Sequence, residues 1–482
     1  MPAGRSSFAP HSANLPAFCR VAGVIKPVSD SNIKFEVWMP APRVWNGKFD
    51  GVDNGGFAGS VNYDGLATAL RAGFAAASTD TGHEAGWSNA FWASGNPGKV
   101  VDFGYRAIHL MTVEGKAIVR NFYGTRAHWS YFAGCSNGGR QALMEAQRFP
   151  TDYNGIIAGA PANFMTHLVA GAIWDAQATL ENPASYIPAS KLPAIHNAVL
   201  AACGAEDGVQ DGILSDPTEC HFNPQKLLCR GADSSACLTA PQVAALKKIY
   251  AGPSNAEGQK IFPGFMPGGE LGANGWLTWI TGFAPKMSGQ FVLGKQFFSG
   301  MVFDNAAWNY RTFNFNTDVQ FTDKKLARVL NATDPNLEAF KADGGKLILY
   351  HGWSDSAVPP LSTVNYYESV VAAVGRKEAE SFLRLYMVPG MQHCGGGPGP
   401  SSFGASPSAK LDPAHSIFSS LEQWVEHGVA PHEIIATKHV NSMNRASGVE
   451  MTRPLCSYPE VAKYKGSGDI HKASSFLCTL AR

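Results

Sequence analysis

Charge is scarce in this sequence. Asp, Glu, Lys and Arg make up 16% of its 482 residues, against about 25% in an average soluble domain, and the two signs nearly cancel, leaving a net charge of +1. No run of Lys and Arg concentrates the positive charge, which removes the electrostatic ground for a nucleic acid or an anionic membrane surface as partner. Long apolar runs are lacking too. No stretch approaches the ~18 consecutive apolar residues of a spanning helix, so no membrane segment is expected. The opening MPAGRSSFAPHSANLP has no apolar signal core either. Gly (51) and Pro (30) are plentiful beside a 45% apolar content, which suits a compact, loop-rich globular protein with ample core.

The nine cysteines argue against the cytoplasm that the bare N-terminus suggests. Cys203 and Cys220, Cys229 and Cys237, and Cys456 and Cys478 each bracket a short segment. Such pairs read as disulfide staples formed in an oxidising compartment, the alternative being scattered reduced core thiols. The expectation is a secreted or periplasmic protein whose signal peptide has been trimmed from this sequence. Cys19 is then the odd one out.

From Ala17 to Asp53 three runs, FCRVAGVIKP, NIKFEVWMP and WNGKFDGVDN, alternate apolar and polar residues between turn signals, as half-buried strands of an antiparallel start to a sheet do. A βα rhythm follows. GFAAASTDTG, HWSYFAGCS and YNGIIAGAPA read as buried strands, separated by helices over 104–122 and GGRQALMEAQRF. Short apolar strands alternating with helices imply parallel pairing in a sheet covered on both faces, an α/β fold. The rhythm stops after Pro161 and resumes at GGKLILYHGWSD, with a helix from Leu361, the strand SFLRLYMVPG and a helix from Ser416 to His427. One α/β domain, residues 1–162 and 333–482, with a large lid domain inserted over 163–332, accounts for this better than two domains in series.

Gly134-Cys135-Ser136-Asn137-Gly138 matches G-x-S-x-G and lies between an apolar strand and a helix, where a nucleophilic serine must stand clear on a sharp turn. A serine needs a base held by an acid. Downstream, LILYHGWSDSAVP offers Asp355 and LYMVPGMQHC offers His393, each just past a buried strand. The order Ser, Asp, His and the position at carboxyl ends of consecutive strands are those of an α/β-hydrolase. Read singly, the aspartate is an ordinary turn residue and the histidine a solvated loop residue; together with Ser136 they form a candidate catalytic triad. The N–H of Asn137, with Gly55 and Gly56 of DNGGFAGS, would supply the oxyanion hole.

Cys135 precedes Ser136, and Cys394 follows His393. If the triad forms, their neighbours bring the two thiols close. A disulfide there would pin the nucleophile turn to the histidine loop; the alternative is two independent buried thiols. On these motifs, the paired Cys-Ser and His-Cys, GCSNGGR, DNGGFAGS, HGWSDSAVP and MQHCGGGPG, the chain from about Phe18 to its end resembles the tannase and feruloyl esterase family, which includes hydrolases of mono(2-hydroxyethyl) terephthalate. The resemblance implies Ser136 as nucleophile, His393 as base, Asp355 as acid, a Cys135–Cys394 bond and a lid over the active site.

It also implies a structural calcium in the lid, at a loop like CGAEDGVQDGILSDPTEC. Asp207 and Asp211 offer hard oxygens on a Gly-rich turn, with the carbonyls of Val209 and Ile213 beside them, as calcium prefers. The family usually has a further aspartate right after the first cysteine; here Gly204 stands there, with Glu206 as the nearby substitute. No cofactor is expected for catalysis. Phe291, Phe298, Phe303 and Trp308, with Lys295, are candidates for a flat aromatic-ester slot, although such a cluster is more often lid core. Lys295 and Lys286 are the cations available to a terephthalate carboxylate.

The expected activity is that of a serine carboxylic ester hydrolase cleaving feruloyl or hydroxycinnamoyl esters through an acyl-enzyme, with galloyl esters or mono(2-hydroxyethyl) terephthalate as alternatives. The small-molecule ester is its partner, and the protein is expected as a monomer or weak oligomer. A non-catalytic binding protein on this fold usually lacks a triad member, and a serine peptidase would prefer amides to matched esters.

Overall fold

The computed structural model describes residues 15–205, 208–408, 411–441 and 444–480. Its centre is an eight-stranded sheet of β1 (Phe18–Ile25), β2 (Ile33–Pro40), β3 (Lys48–Val52), β4 (Ala75–Thr79), β5 (Trp129–Cys135), β6 (Gly155–Gly159), β7 (Lys346–Gly352) and β8 (Leu383–Val388). The strand order is β1-β2-β4-β3-β5-β6-β7-β8. The first two strands pair antiparallel, as does β2 with β4, and every pair from β4 to β8 is parallel. The antiparallel start expected from sequence is therefore two strands long. The third run, β3, enters as a parallel strand, and β4 slots between it and β2.

Strands with both faces buried read as continuous apolar runs, and β4, AAAST, is buried at all five positions. Helices cover both faces. Ala107–Tyr123 (α2) and Leu361–Val374 (α6) press Met111, Val119, Val364 and Val370 onto one face. Tyr63–Arg71 (α1) and Ile417–His427 (α7) press Leu66, Leu70, Phe418 and Trp424 onto the other. The last of these helices is capped by Ser416, whose side chain accepts from the Ser419 N–H, and α2 and α7 both stop at a left-handed glycine, Gly124 and Gly428. The helix expected over 104–122 is the body of a longer helical run from Pro97 to Tyr123, in which residues 102–106 take a wider π turn.

Asn137–Arg148 (α3) follows β5 directly. Between β6 and β7 the chain leaves the sheet and contributes no strand to it. Within that insertion Met165–Leu180 (α4) and Gly289–Gln296 (α5) share a core with Phe57 and Phe103 of the sheet's own loops. After the sheet come two small antiparallel sheets, Glu433–His439 with Val449–Cys456 and Glu460–Tyr464 with Phe476–Leu480, where no strands were expected. Because β3 and β5 to β8 run parallel, the loops after them all emerge at one edge, which is where an open α/β sheet presents its ligand site.

Candidate active site

The Ser136 turn is built by close approach. Ser136 has φ +65°, in the left-handed region that a residue bearing a Cβ rarely adopts. Its N–H donates to the Gly159 carbonyl (3.0 Å), and its own carbonyl accepts from Arg140 and Ala162. A Cβ at Gly134 would meet the Gly138 backbone at 2.5 Å, and one at Gly138 would meet Asp53 Oδ2 at 1.8 Å. Both glycines of the motif are thus required by the contact of strand, helix and the loop after β3.

That loop is tied to the turn from several sides. Asp53 Oδ2 accepts the Cys135 N–H at 3.0 Å, and burial raises the Asp53 carboxyl to about 6. The Asn137 side chain donates to the Asn54 carbonyl at 3.1 Å, and the buried Arg140 donates through Nε to Asn137 Oδ1 at 2.9 Å. Arg140 is otherwise spent on the carbonyls of Gly104 and Phe103, so the final arginine of GCSNGGR is an internal brace. Sequence reasoning missed it, as an arginine on a helix is ordinarily solvated.

Asp355 and His393 meet. His393 Nδ1 lies 2.8 Å from Asp355 Oδ2, while Asp355 Oδ1 accepts the N–H groups of Ala357 (2.7 Å) and Val358 (2.9 Å). Burial favours the neutral acid, but the imidazoles of His393 and His351 and these amide donors hold the carboxyl well below the usual carboxylate range. Trp279 of the insertion sets its ring edge-on to His393, centroids 5.3 Å apart. Cys135 and Cys394 are bonded, with Cα atoms 5.9 Å apart. Cys203–Cys220, Cys229–Cys237 and Cys456–Cys478 are formed as well, and Cys19 is free.

Ser136, His393, Asn137, Gly55 and Gly56 all line one cavity of about 730 Å³, and the Cys135–Cys394 bond forms part of its wall. The opposite wall comes from the insertion: Met165, Leu168, Val169, Ala172, Trp279, Gln290 and Leu293. None of Phe291, Lys295, Phe298, Phe303 and Trp308 lines it. The four aromatic residues belong to the apolar core shared by insertion and sheet loops, Lys295 is half-buried on α5, and Lys286 is exposed. Aromatic density alone could not say which way those rings point, and the cluster is packing. The residues that do face the cavity gave no distinct sequence signal, being single apolar positions and one glutamine.

The calcium expectation falls partly outside the described residues, because Asp207 and Glu206 lie there. The part described does not fit a calcium cage. Asp211 is buried, with Oδ1 accepting the Ile213 N–H at 3.1 Å and Oδ2 engaged by the buried guanidinium of Arg453. That guanidinium sits over the Phe476 ring, 3.7 Å from its centroid. Val209 is packed against Cys456 and Phe476. An arginine already supplies the positive charge, and Gly204 removes one carboxylate ligand.

A mostly parallel sheet with a strained serine turn, and an aspartate–histidine pair at the same edge, define an α/β-hydrolase. Residues 19–479 match the family model described as tannase and feruloyl esterase. The chain belongs to that family and is a carboxylic ester hydrolase. It is 45% identical to an uncharacterized esterase of Xanthomonas campestris pv. campestris, over 96% of this chain and 84% of that protein. It is 34% identical to the mono(2-hydroxyethyl) terephthalate hydrolase of Piscinibacter sakaiensis, over 97% and 85%. Among solved structures, feruloyl esterase B from Aspergillus oryzae superposes with a TM-score of 0.88 at 31% identity, covering 97% of this chain and 93% of that one. No helix among the described residues is long and apolar enough to cross a membrane.

Proposed function

We propose that the protein is a secreted serine esterase for hydroxycinnamoyl-type aromatic esters. Ser136 Oγ attacks the ester carbonyl carbon and His393 Nε2 takes its proton. Asp355, an acceptor at Nδ1, fixes that tautomer and steadies the imidazolium. The N–H groups of Asn137 and of Gly55 or Gly56 receive the charge on the carbonyl oxygen. Collapse returns the proton to the departing alcohol and leaves an acyl-enzyme. Water then attacks, with His393 as base, releasing the acid and restoring Ser136. The observation that carries this reading is the 2.8 Å contact of His393 with Asp355 in the wall of the cavity that Ser136 also lines.

The cavity's chemistry supports an uncharged aryl acyl group. Its walls are mostly apolar, and among the described residues that line it there is no Lys or Arg, while Asp53 and Asp64 are present. Gln290 is buried and donates through Nε2 to the Ala357 carbonyl at 3.1 Å, and its Oε1 is closed off from solvent. Mostly apolar walls favour an uncharged aromatic acyl group. A terephthalate monoester would instead bring a carboxylate that needs a cation. The insertion is proposed as a lid, since it supplies one wall of the cavity. Four disulfides support an oxidising destination.

Ser136→Ala should lose nearly all turnover of methyl ferulate, and retained turnover would sink the mechanism. A kcat/KM panel over methyl ferulate, methyl cinnamate, methyl gallate and mono(2-hydroxyethyl) terephthalate should favour ferulate.

A further inference from the structure

His351 is the sixth residue of the seven in β7, four positions before Asp355, and its side chain is wholly buried. It bonds at both ring nitrogens. Nε2 lies 3.1 Å from Asp355 Oδ2 and 3.1 Å from the Val358 carbonyl, and Nδ1 lies 2.7 Å from Thr363 Oγ1 at the start of α6. Both partners of Nε2 are acceptors, a carboxylate and a carbonyl, so Nε2 carries the proton. The Thr363 hydroxyl can donate to Nδ1, so neither ring nitrogen of His351 lacks a partner. The order of donation is then Thr363 to His351 to Asp355.

Asp355 Oδ2 consequently receives two imidazole N–H groups, from His351 and from His393, while Oδ1 receives two amide N–H groups. Two consequences follow for His393. The carboxylate has no freedom to rotate, so the direction in which it holds the His393 ring is fixed. Its oxygen is also shared between two donors, so it pulls less strongly on the His393 N–H than an unshared carboxylate does.

We propose that His351 is a positioning residue of the esterase, orienting Asp355 and setting through it the basicity of His393. This rests on the triad reading above. The other ionisable groups facing the cavity are Asp53, Tyr63 and Asp64. Behind the loop, Glu270 and His196 stand near the Gly268 and Gly269 carbonyls that accept from Ser354 and Ser356. The variants below leave all of these in place.

The test is a pH profile of kcat/KM on a p-nitrophenyl ester for His351→Leu, His351→Gln and Thr363→Val, with folding checked by near-UV circular dichroism. His351→Leu should lower kcat about 100-fold, the order of a misplaced catalytic group, with KM little changed. Its acid limb should rise by about half a pH unit or more, as His393 gains an unshared carboxylate. Gln can present its amide donor at the position of Nε2 and should restore most of the rate and the limb. Thr363→Val should raise the limb in the same direction, and it carries the test if the leucine variant does not fold. A folded His351→Leu with wild-type kcat and limb overturns the proposal. So does a rate loss with an unmoved limb and no rescue by Gln, which is merely structural damage. Turnover by Ser136→Ala would instead overturn the triad reading itself.

Discussion

Replacing Cys135 and Cys394 together by alanine separates what their bond contributes to stability from what it contributes to catalysis. The two cysteines are 259 residues apart, and in the chain-entropy model closing such a loop stabilises the fold by roughly 5 kcal/mol at 25 °C. The Cys203–Cys220 bond spans 17 residues, for which the same model gives roughly 3 kcal/mol. A chain of this length has an unfolding entropy on the order of 1 kcal/mol per kelvin, so the two double variants should melt about 5 °C and about 3 °C below the parent. Their activities should diverge far more. Cys394 sits in left-handed backbone at φ +59° next to His393, and its bond fixes that loop to the residue before Ser136. Without it the base drifts from the turn, and kcat should fall about 100-fold, the usual consequence of roughly 1 Å of misplacement. The Cys203–Cys220 pair lies in the insertion, away from the cavity walls, and its removal should leave kcat nearly unchanged. Differential scanning calorimetry and initial rates on methyl ferulate at 25 °C make the comparison. A folded Cys135→Ala/Cys394→Ala variant with parental kcat would refute the claim that the bond positions the base, and a melting loss no larger than that of the short loop would refute the entropy account.

Burial holds the Asp53 carboxyl at about 6, above its ordinary value of 3.8. The folded state therefore bears a burial cost that is absent below the unfolded value and fully present above about pH 6, so Asp53→Asn should stabilise at pH 8, by up to about 3 kcal/mol, with the gain vanishing towards pH 4; denaturant melts at the two pH values check this, and a gain confined to pH 4 would contradict it. Arg453→Met leaves the buried Asp211 carboxylate uncompensated and should cost about 3 to 5 kcal/mol, read by denaturant melts. If Arg453 supplies the charge that calcium would otherwise bring, a chelator should leave the melting temperature of the parent protein unchanged, and a chelator-induced fall would reinstate the metal.

Some of the site was legible in the sequence because its geometry is enforced locally. Ser136 can stand at φ +65° only where Gly134 and Gly138 let strand, helix and the Asp53 loop touch, and those glycines are within two residues of it. Asp355 and His393 each follow an apolar strand, and parallel strands bring such loops to one edge whatever lies between them. The two cysteines carried a long-range contact in readable form, since each flanks a residue that chemistry requires to be adjacent to the other. Gln290, Trp279, Arg140 and His351 carry no such local mark. Their roles come from which neighbour the fold sets beside them. The same physics explains why Phe291, Phe298, Phe303 and Trp308 misled as slot residues. A ring is stabilised equally by a core and by a cavity wall, so composition gives no direction, and in this insertion the packed interior takes the rings. The cavity is left to Trp279, to smaller apolar side chains and to a single glutamine whose amide is aimed by the carbonyls beside Asp355. That placement couples recognition to catalysis. The Asp355 loop that holds His393 is also what orients Gln290, so a substitution that shifts this loop should alter rate and acyl preference together, whereas one on the Met165, Leu168 and Val169 wall should alter preference alone.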